Sequence, residues 1–288
     1  MPSAASITRP SSQRCDAYRS AARRSQINGV LSSKSECAAR AQIVAQKRIP
    51  LATKYDVNTN NVVVPSTTLR LPRTLPRPVL GEVRMATLLE AYPHLAGIPA
   101  EYIREHLPSS TSTMTAALQA VQLANPTEGL PKELEIIMND AVSAACPTHM
   151  LAVYGDAPTH GKKRQVALFP FHDLVLSLHC SRLPVLPVSR PDTSAGCATV
   201  TLPVIPLRLP APETFALLQS YLYTQQPAFL LAALAPPCEA DILQLVAHAT
   251  KMHGVWRNAC ALGVVDARLY DILDASWAHT LAAMQACS

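Results

Sequence analysis

The sequence predicts an α+β fold: a small sheet flanked by helices, preceded by short helices and a disordered N-terminal arm. Three observations carry this expectation. Two short apolar runs, Met150–Tyr154 and Gln165–Phe169, are bounded by turn formers and separated by a polar loop. A third run, Ala198–Leu202, has the same character. On either side, apolar residues recur at offsets of three and four, the helical period. Strands followed by a run of helices, without strict alternation, is the order of an α+β domain.

The first segment, residues 1–80, is rich in Ser, Ala, Arg, Asn and Thr. Up to Leu80 there are thirteen Lys and Arg against three acids, Asp16, Glu36 and Asp56; beyond it there are twelve against seventeen. Like charges along a tail oppose compaction, so this segment is expected to be a disordered basic arm. A helix around Ala41, Val44 and Ala45 would have nothing to cover it. The arm ends in Leu69-Arg70-Leu71-Pro72-Arg73-Thr74-Leu75-Pro76-Arg77-Pro78. Each residue before a proline is pushed out of the helical region, so this stretch reads as an extended, polyproline-like linker. A groove ligand is the rival reading, with linker preferred.

Residues 81–146 read as a helical collar. Val83, Leu88, Leu89 and Tyr92 share a helical face that Pro93 ends. A second helix opens at Pro99 and carries Tyr102, Ile103 and Leu107 to Pro108. Ser109 to Thr111 offer caps for a third, with Met114, Ala117, Leu118 and Val121 inward until Pro126. Glu133 and Glu135 are expected on a solvated helix face.

Residues 147–288 read as the main domain. The first two runs form a hairpin around the basic loop Thr159 to Arg164, and a helix from Phe171 to Cys180 turns Leu174, Val175 and Leu178 inward. The strand at 198–202 is followed by Val204 to Leu209 as an irregular extension. Helices follow around Phe215 to Leu222, Phe229 to Leu234 and Asp241 to His253. Asp266 caps the last, where Leu269, Ile272, Leu273, Trp277, Leu281 and Met284 recur at helical spacing.

Composition narrows the chemistry. The chain has 288 residues, 49% hydrophobic and 16% charged, so a sizeable core is expected. Its 25 prolines are nearly twice the usual share of about 5%, and its nine glycines fall below the usual share of about 7%. No run reaches the roughly 18 apolar residues of a membrane span. No Walker loop, GxGxxG or GxSxG elbow occurs. Eight cysteines include no CxxC pair, which argues against a structural zinc site; reduced thiols in a cytosolic or nuclear compartment are the expectation. His248 and His253 are five apart and miss the helical ligand offset of four. A Cys–His nucleophile built on Cys180 is a minor reading that any chain with eight Cys and nine His would allow. No catalytic residue, cofactor or metal ligand is expected.

The arm and the loop admit other uses. Arg23-Arg24 and Lys47-Arg48 are too sparse for a strong import signal, and diffuse positive charge allows non-specific phosphate contact as readily as a solvated tail. Met1 to Gly29, Arg-rich and acid-poor apart from Asp16, also fits a mitochondrial presequence. Lys162-Lys163-Arg164 reads as a solvated hairpin tip.

The segment from Met150 onward resembles a BTB/POZ domain. Phe169, His172 and Leu176 stand in its Phe-x-x-His-x-x-x-Leu pattern, with Cys180 at a small-residue position and Leu183 in place of a usual aromatic. Pro212-x-x-Phe215 and Tyr221-Leu222-Tyr223-Thr224 look like the helix that ends in a Tyr-Thr/Ser-Gly corner, with Gln225 in place of the glycine. The chain from about Leu80 also resembles the fungal clampless family. The likeness lies in Pro147–Tyr154, Leu168–His172, Cys180–Pro187, Leu222–Thr224 and Gly254-Val255-Trp256-Arg257-Asn258-Ala259-Cys260-Ala261-Leu262-Gly263-Val264.

The clampless resemblance implies a role in sexual development of mushroom-forming and smut fungi, downstream of mating-type homeodomain factors. Clamp-cell formation and dikaryon growth would depend on nuclear action through protein partners, among them transcription regulators. The BTB resemblance implies a homodimer through the first helix, or an adaptor bringing substrates to a cullin-type ubiquitin ligase. The expected interaction residues are Phe171, Leu174 and Leu178 on that helix, and Trp256 and Arg257, enriched types at docking hot spots. For Trp256 and Asn258 the preferred reading is structural, a core anchor and a turn hydrogen-bonder. The expected location is nucleus or cytoplasm.

Overall fold

The computed structural model describes residues 71–124, 129–138, 140–156, 165–189, 191, 199–237 and 240–287. The expectations for the arm before residue 71, including the presequence, and for Lys162-Lys163-Arg164 lie outside the described residues. So do Cys15, Cys37, Cys197 and Cys238.

Five strands form one sheet in the order β1-β2-β5-β3-β4: β1 (Gln122–Leu123), β2 (Glu133–Ile137), β3 (His149–Tyr154), β4 (Val166–Phe171) and β5 (Thr199–Arg208). β3 and β5 run parallel; the other neighbours are antiparallel. The expected hairpin is β3–β4, with Met150 opposite Pro170 and Leu151 opposite Phe169. Pro170 sits on an edge strand, where a residue with no N–H is tolerated. β3 is buried along its first five residues because both faces of the sheet are covered. Its period-2 alternation sends Leu151 and Val153 into the main core, and Met150 and Ala152 into a second cluster with Leu134, Ile136, Val200 and Leu202.

Two corrections concern the sheet. The collar segment 81–146 is not wholly helical: β1 and β2 lie within it, and β2 pairs with β5 from Glu133–Pro203 to Ile137–Thr199. Glu133 and Glu135 are exposed as expected, but on a strand whose other face buries Leu134 and Ile136. Second, β5 is one continuous strand of ten residues in spite of Pro203 and Pro206. Its alternate residues Val200, Leu202 and Val204 are buried.

Helices α1 (Met85–Ala91), α2 (Ala100–His106) and α3 (Pro108–Ala120) make the collar. Pro93 follows α1 and Pro108 opens α3, as their missing N–H groups dictate. Leu88, Ile103 and Leu107 pack on Val175 and Leu178 of α4 (Asp173–His179) and on Tyr223 of α5 (Phe215–Thr224). After α6 (Pro227–Ala233), α7 (Ile242–Leu262) and α8 (Ala267–Ala286) close the main core around Trp277, Tyr221 and Phe215.

Two helix ends explain why α7 sits where it does. It begins in a capping box, Asp241 accepting from the Gln244 N–H while the Gln244 side chain accepts from the Asp241 N–H. It ends at Gly263, whose left-handed φ of 63° closes the last turn. α7 therefore extends nine residues beyond the expected stop at His253 and carries Trp256, Arg257 and Asn258. At Gly254 an added Cβ would meet Thr214 Cγ2 at 2.9 Å, so glycine is what lets α7 lie against the turn at Ala211–Thr214. Asp266 caps α8 as expected, accepting from the Arg268 N–H.

Candidate functional site

The expected docking helix is inside the protein. Phe171 and Leu178 are fully buried, and Leu174 is half-buried against the collar. Phe171 packs in the main core, Leu178 under Ile103 and Leu107. The expected dimer face is thus divided: Leu174 and Leu178 meet the apolar side of the chain's own collar, and Phe171 belongs to the main core. Arg104 of α2 secures the cover by donating to Leu178 O (3.0 Å).

Beneath the cover lies a polar cluster. Asp173 Oδ1 accepts from Tyr92 OH (2.5 Å), Leu174 N (2.8 Å) and Thr148 Oγ1 (3.2 Å). Burial and the Asp173 charge hold the Tyr92 phenol protonated, pushing it above its ordinary range. His172 Nε2 donates to Ala145 O (3.0 Å), which leaves Nδ1 to accept from Tyr223 OH (2.9 Å); that oxygen accepts from the His172 N–H (2.8 Å). His149 Nε2 donates to Pro187 O (2.8 Å). Burial lowers both imidazoles below their ordinary value, favouring their neutral forms. Two recesses beside α4, of about 30 and 20 Å³, have room for roughly one water each.

His179 and Cys180 are adjacent and buried. Neither His179 ring nitrogen has a hydrogen-bond partner, and burial pulls the imidazole down to about 4. Burial pushes the Cys180 thiol up to about 12, leaving essentially no thiolate at neutral pH. Among the described residues no group of three or more His, Cys, Asp and Glu is placed to hold a metal ion.

Trp256 and Arg257 are where the surface is. Arg257 is exposed, and Trp256 is half-buried, packed against the main core with one edge at the surface. Its Nε1–H donates to Pro76 O (3.1 Å), and Trp277 Nε1–H donates to Pro72 O (3.0 Å). His253 stacks on the Trp256 ring at 5.4 Å and lies tilted at 6.4 Å from that of Trp277. Between the two carbonyls Leu75 enters the core, 3% exposed, with Leu71 half-buried beside it. The Arg77 guanidinium pairs with Asp271 and Asp274 of α8. Residues 71–77, expected as the end of a disordered linker, are therefore a strap bound across α7 and α8. The hydrophobic pattern missed it because a segment without regular structure has no period; the repeated Leu-Pro-Arg was the signal present. Asn258 is a buried hydrogen-bonder as expected, joined to Ala211 and Thr214.

Comparison with protein families gives two overlapping matches: the clampless protein 1 N-terminal domain over residues 78–210 and the clampless protein 1 C-terminal domain over residues 201–288. No curated protein and no solved structure matches the chain. No helix among the described residues is long and apolar enough to cross a membrane.

Proposed function

The chain belongs to the clampless protein family, and from that premise we propose that it is a non-enzymatic, protein-binding regulator of clamp-cell formation and dikaryon growth. In this reading it works in the nucleus, downstream of mating-type homeodomain factors, through transcription regulators. The observation that carries binding over chemistry is how the ionisable interior is used. Asp173, His149 and His172 spend their hydrogen bonds on the fold, and the Cys180 thiol is held protonated. The exposed Arg257 beside Trp256 is a group open to a partner.

Complementation of a clampless deletion strain tests this. Arg257→Glu is expected to melt like the wild type and fail to restore clamps; Cys180→Ala is expected to restore them. Clamps restored by Arg257→Glu would remove the site, and loss with Cys180→Ala at unchanged melting would argue for chemistry. A second reading, a BTB-type adaptor for a cullin ubiquitin ligase, draws on the β3–β4 hairpin, α4 and the parallel strand β5. Capture of a cullin with the intact chain would favour it.

A further inference from the structure

The strap across α7 and α8 is held in the manner of a ligand. Residues 71–80 make no backbone–backbone hydrogen bond to the rest of the described chain. A polyproline segment has carbonyls to offer and few N–H groups, so it cannot join a ladder and is read by side chains. Here the readers are two indole N–H donors, each taking the carbonyl of one proline. The sequence they read is itself a repeat, Leu-Pro-Arg at 71–73 and again at 75–77. Leu71 and Leu75 point into the core, and Pro72 and Pro76 present their carbonyls to Trp277 and Trp256.

The second arginine sets direction. Arg77 lies on Asp271 and Asp274, three apart and so on one face of α8. Arg77 and Asp271 are each more than half exposed, so the contact selects charge without locking the segment in place. Aromatic side chains reading a proline-rich segment, with acids beside them for an arginine, is the general chemistry of polyproline recognition.

We propose that the α7–α8 groove is a docking site for a proline-rich, arginine-bearing segment of a partner protein, with residues 71–78 as the resident competitor that the partner displaces. The inference deepens the protein-binding function and rests on it, by naming the kind of segment bound. The partner segment carries two Leu-Pro units four residues apart, followed by an arginine. An intramolecular ligand acts at an effective concentration in the millimolar range, so a segment of micromolar intrinsic affinity is held off by roughly 100-fold or more while the strap is seated.

The test uses the full chain and a fluorescent synthetic peptide of residues 71–80. Leu75→Asp with Arg77→Glu removes two of the strap's anchors and leaves the groove unaltered. This variant is expected to bind the peptide with a micromolar Kd, the wild type on the order of 100-fold more weakly. Trp256→Phe in the released background should abolish the difference. Equal binding by both chains, or none by a released chain that melts like the wild type, would overturn the proposal. Should the released chain fail to fold, a protease site placed between Leu80 and Glu82 lets the native chain fold before it is cut. The freed strap should then leave on dilution and rebind; retention at nanomolar concentration, or unfolding on its loss, makes it part of the core and ends the idea. Concentration-dependent dimerisation of the wild type by strap exchange would assign the groove to a second copy instead, against the partner. Failure of the peptide leaves the clamp-restoration result standing, so the two readings fail separately.

Discussion

Asn258 offers a stringent test of how the C-terminal helices are fastened. Its side chain is fully buried on α7, one turn after Gly254. Oδ1 accepts from the Ala211 N–H at 3.0 Å, while Nδ2 donates to Ala211 O at 2.6 Å and to Thr214 Oγ1 at 3.0 Å. The two sides of this clamp are unequal. Ala211 O also accepts from Thr214 N and Thr214 Oγ1, so it stays satisfied when Asn258 is truncated. The Ala211 N–H is left buried and unpaired, at a cost of about 1–3 kcal/mol. With about 1 kcal/mol for the vacated space, Asn258→Ala should lose about 3 kcal/mol in urea unfolding. In a unit of this size that corresponds to roughly 6–12 °C in Tm.

Asn258→Asp sharpens the reasoning. A protonated carboxyl can reproduce both an acceptor and a donor toward Ala211. An ionised one places charge against Ala211 O and loses both donor bonds. Burial without a counter-charge raises the folded-state carboxyl above its unfolded value near 4. The folded variant therefore holds the proton longer. Its stability is nearest the wild type below that unfolded value and is lost as pH rises through the folded one. Urea midpoints for wild type and variant across pH 4 to 8 measure this. A loss below about 1 kcal/mol for Ala, or an Asp variant whose deficit does not grow with pH, would refute the account.

Two further outcomes follow from single residues. Gln225 ends α5 with φ of 50°, a left-handed conformation that costs a side-chain-bearing residue about 1 kcal/mol, so Gln225→Gly should raise Tm by about 2–4 °C in a thermal melt. His179 is buried with both ring nitrogens unpaired and is depressed to about 4. The unfolded chain binds its proton first, so its stabilising share is present above about 6.5 and lost as pH falls toward 4. His179→Leu should remove up to about 1.4 kcal/mol per pH unit from the acid limb without weakening the protein at pH 7. An unchanged acid slope would show that His149 and His172, lowered in the same direction, carry the whole effect.

Most of the local structure was legible because it depends on neighbours in the chain. The hairpin, the prolines that end α1 and open α3, the Asp266 cap and the periodic face of α8 all follow from residues within a few positions of one another. β2 was missed because its five-residue alternation is too brief to outweigh two glutamates, and only β5 beside it makes it a strand. Pro203 and Pro206 argued against β5 continuing; two flanking strands and burial on both sides override them.

Local pattern was enough for most element types, the apolar face of each helix, the family, and Trp256, Arg257 and Asn258 as residues to explain; β2 and the full length of β5 were not among them. Tertiary structure alone decided what each face meets. Packing put the collar over Leu174 and Leu178 and Phe171 in the main core, so that the expected docking helix became interior. It also brought Pro72 and Pro76 to indoles about 180 to 205 residues away in the chain, so that a stretch with no periodicity of its own became a bound strap. Helical and strand periods report that an apolar face needs cover; which distant segment supplies the cover is settled by packing and shape, and no local pattern encodes it.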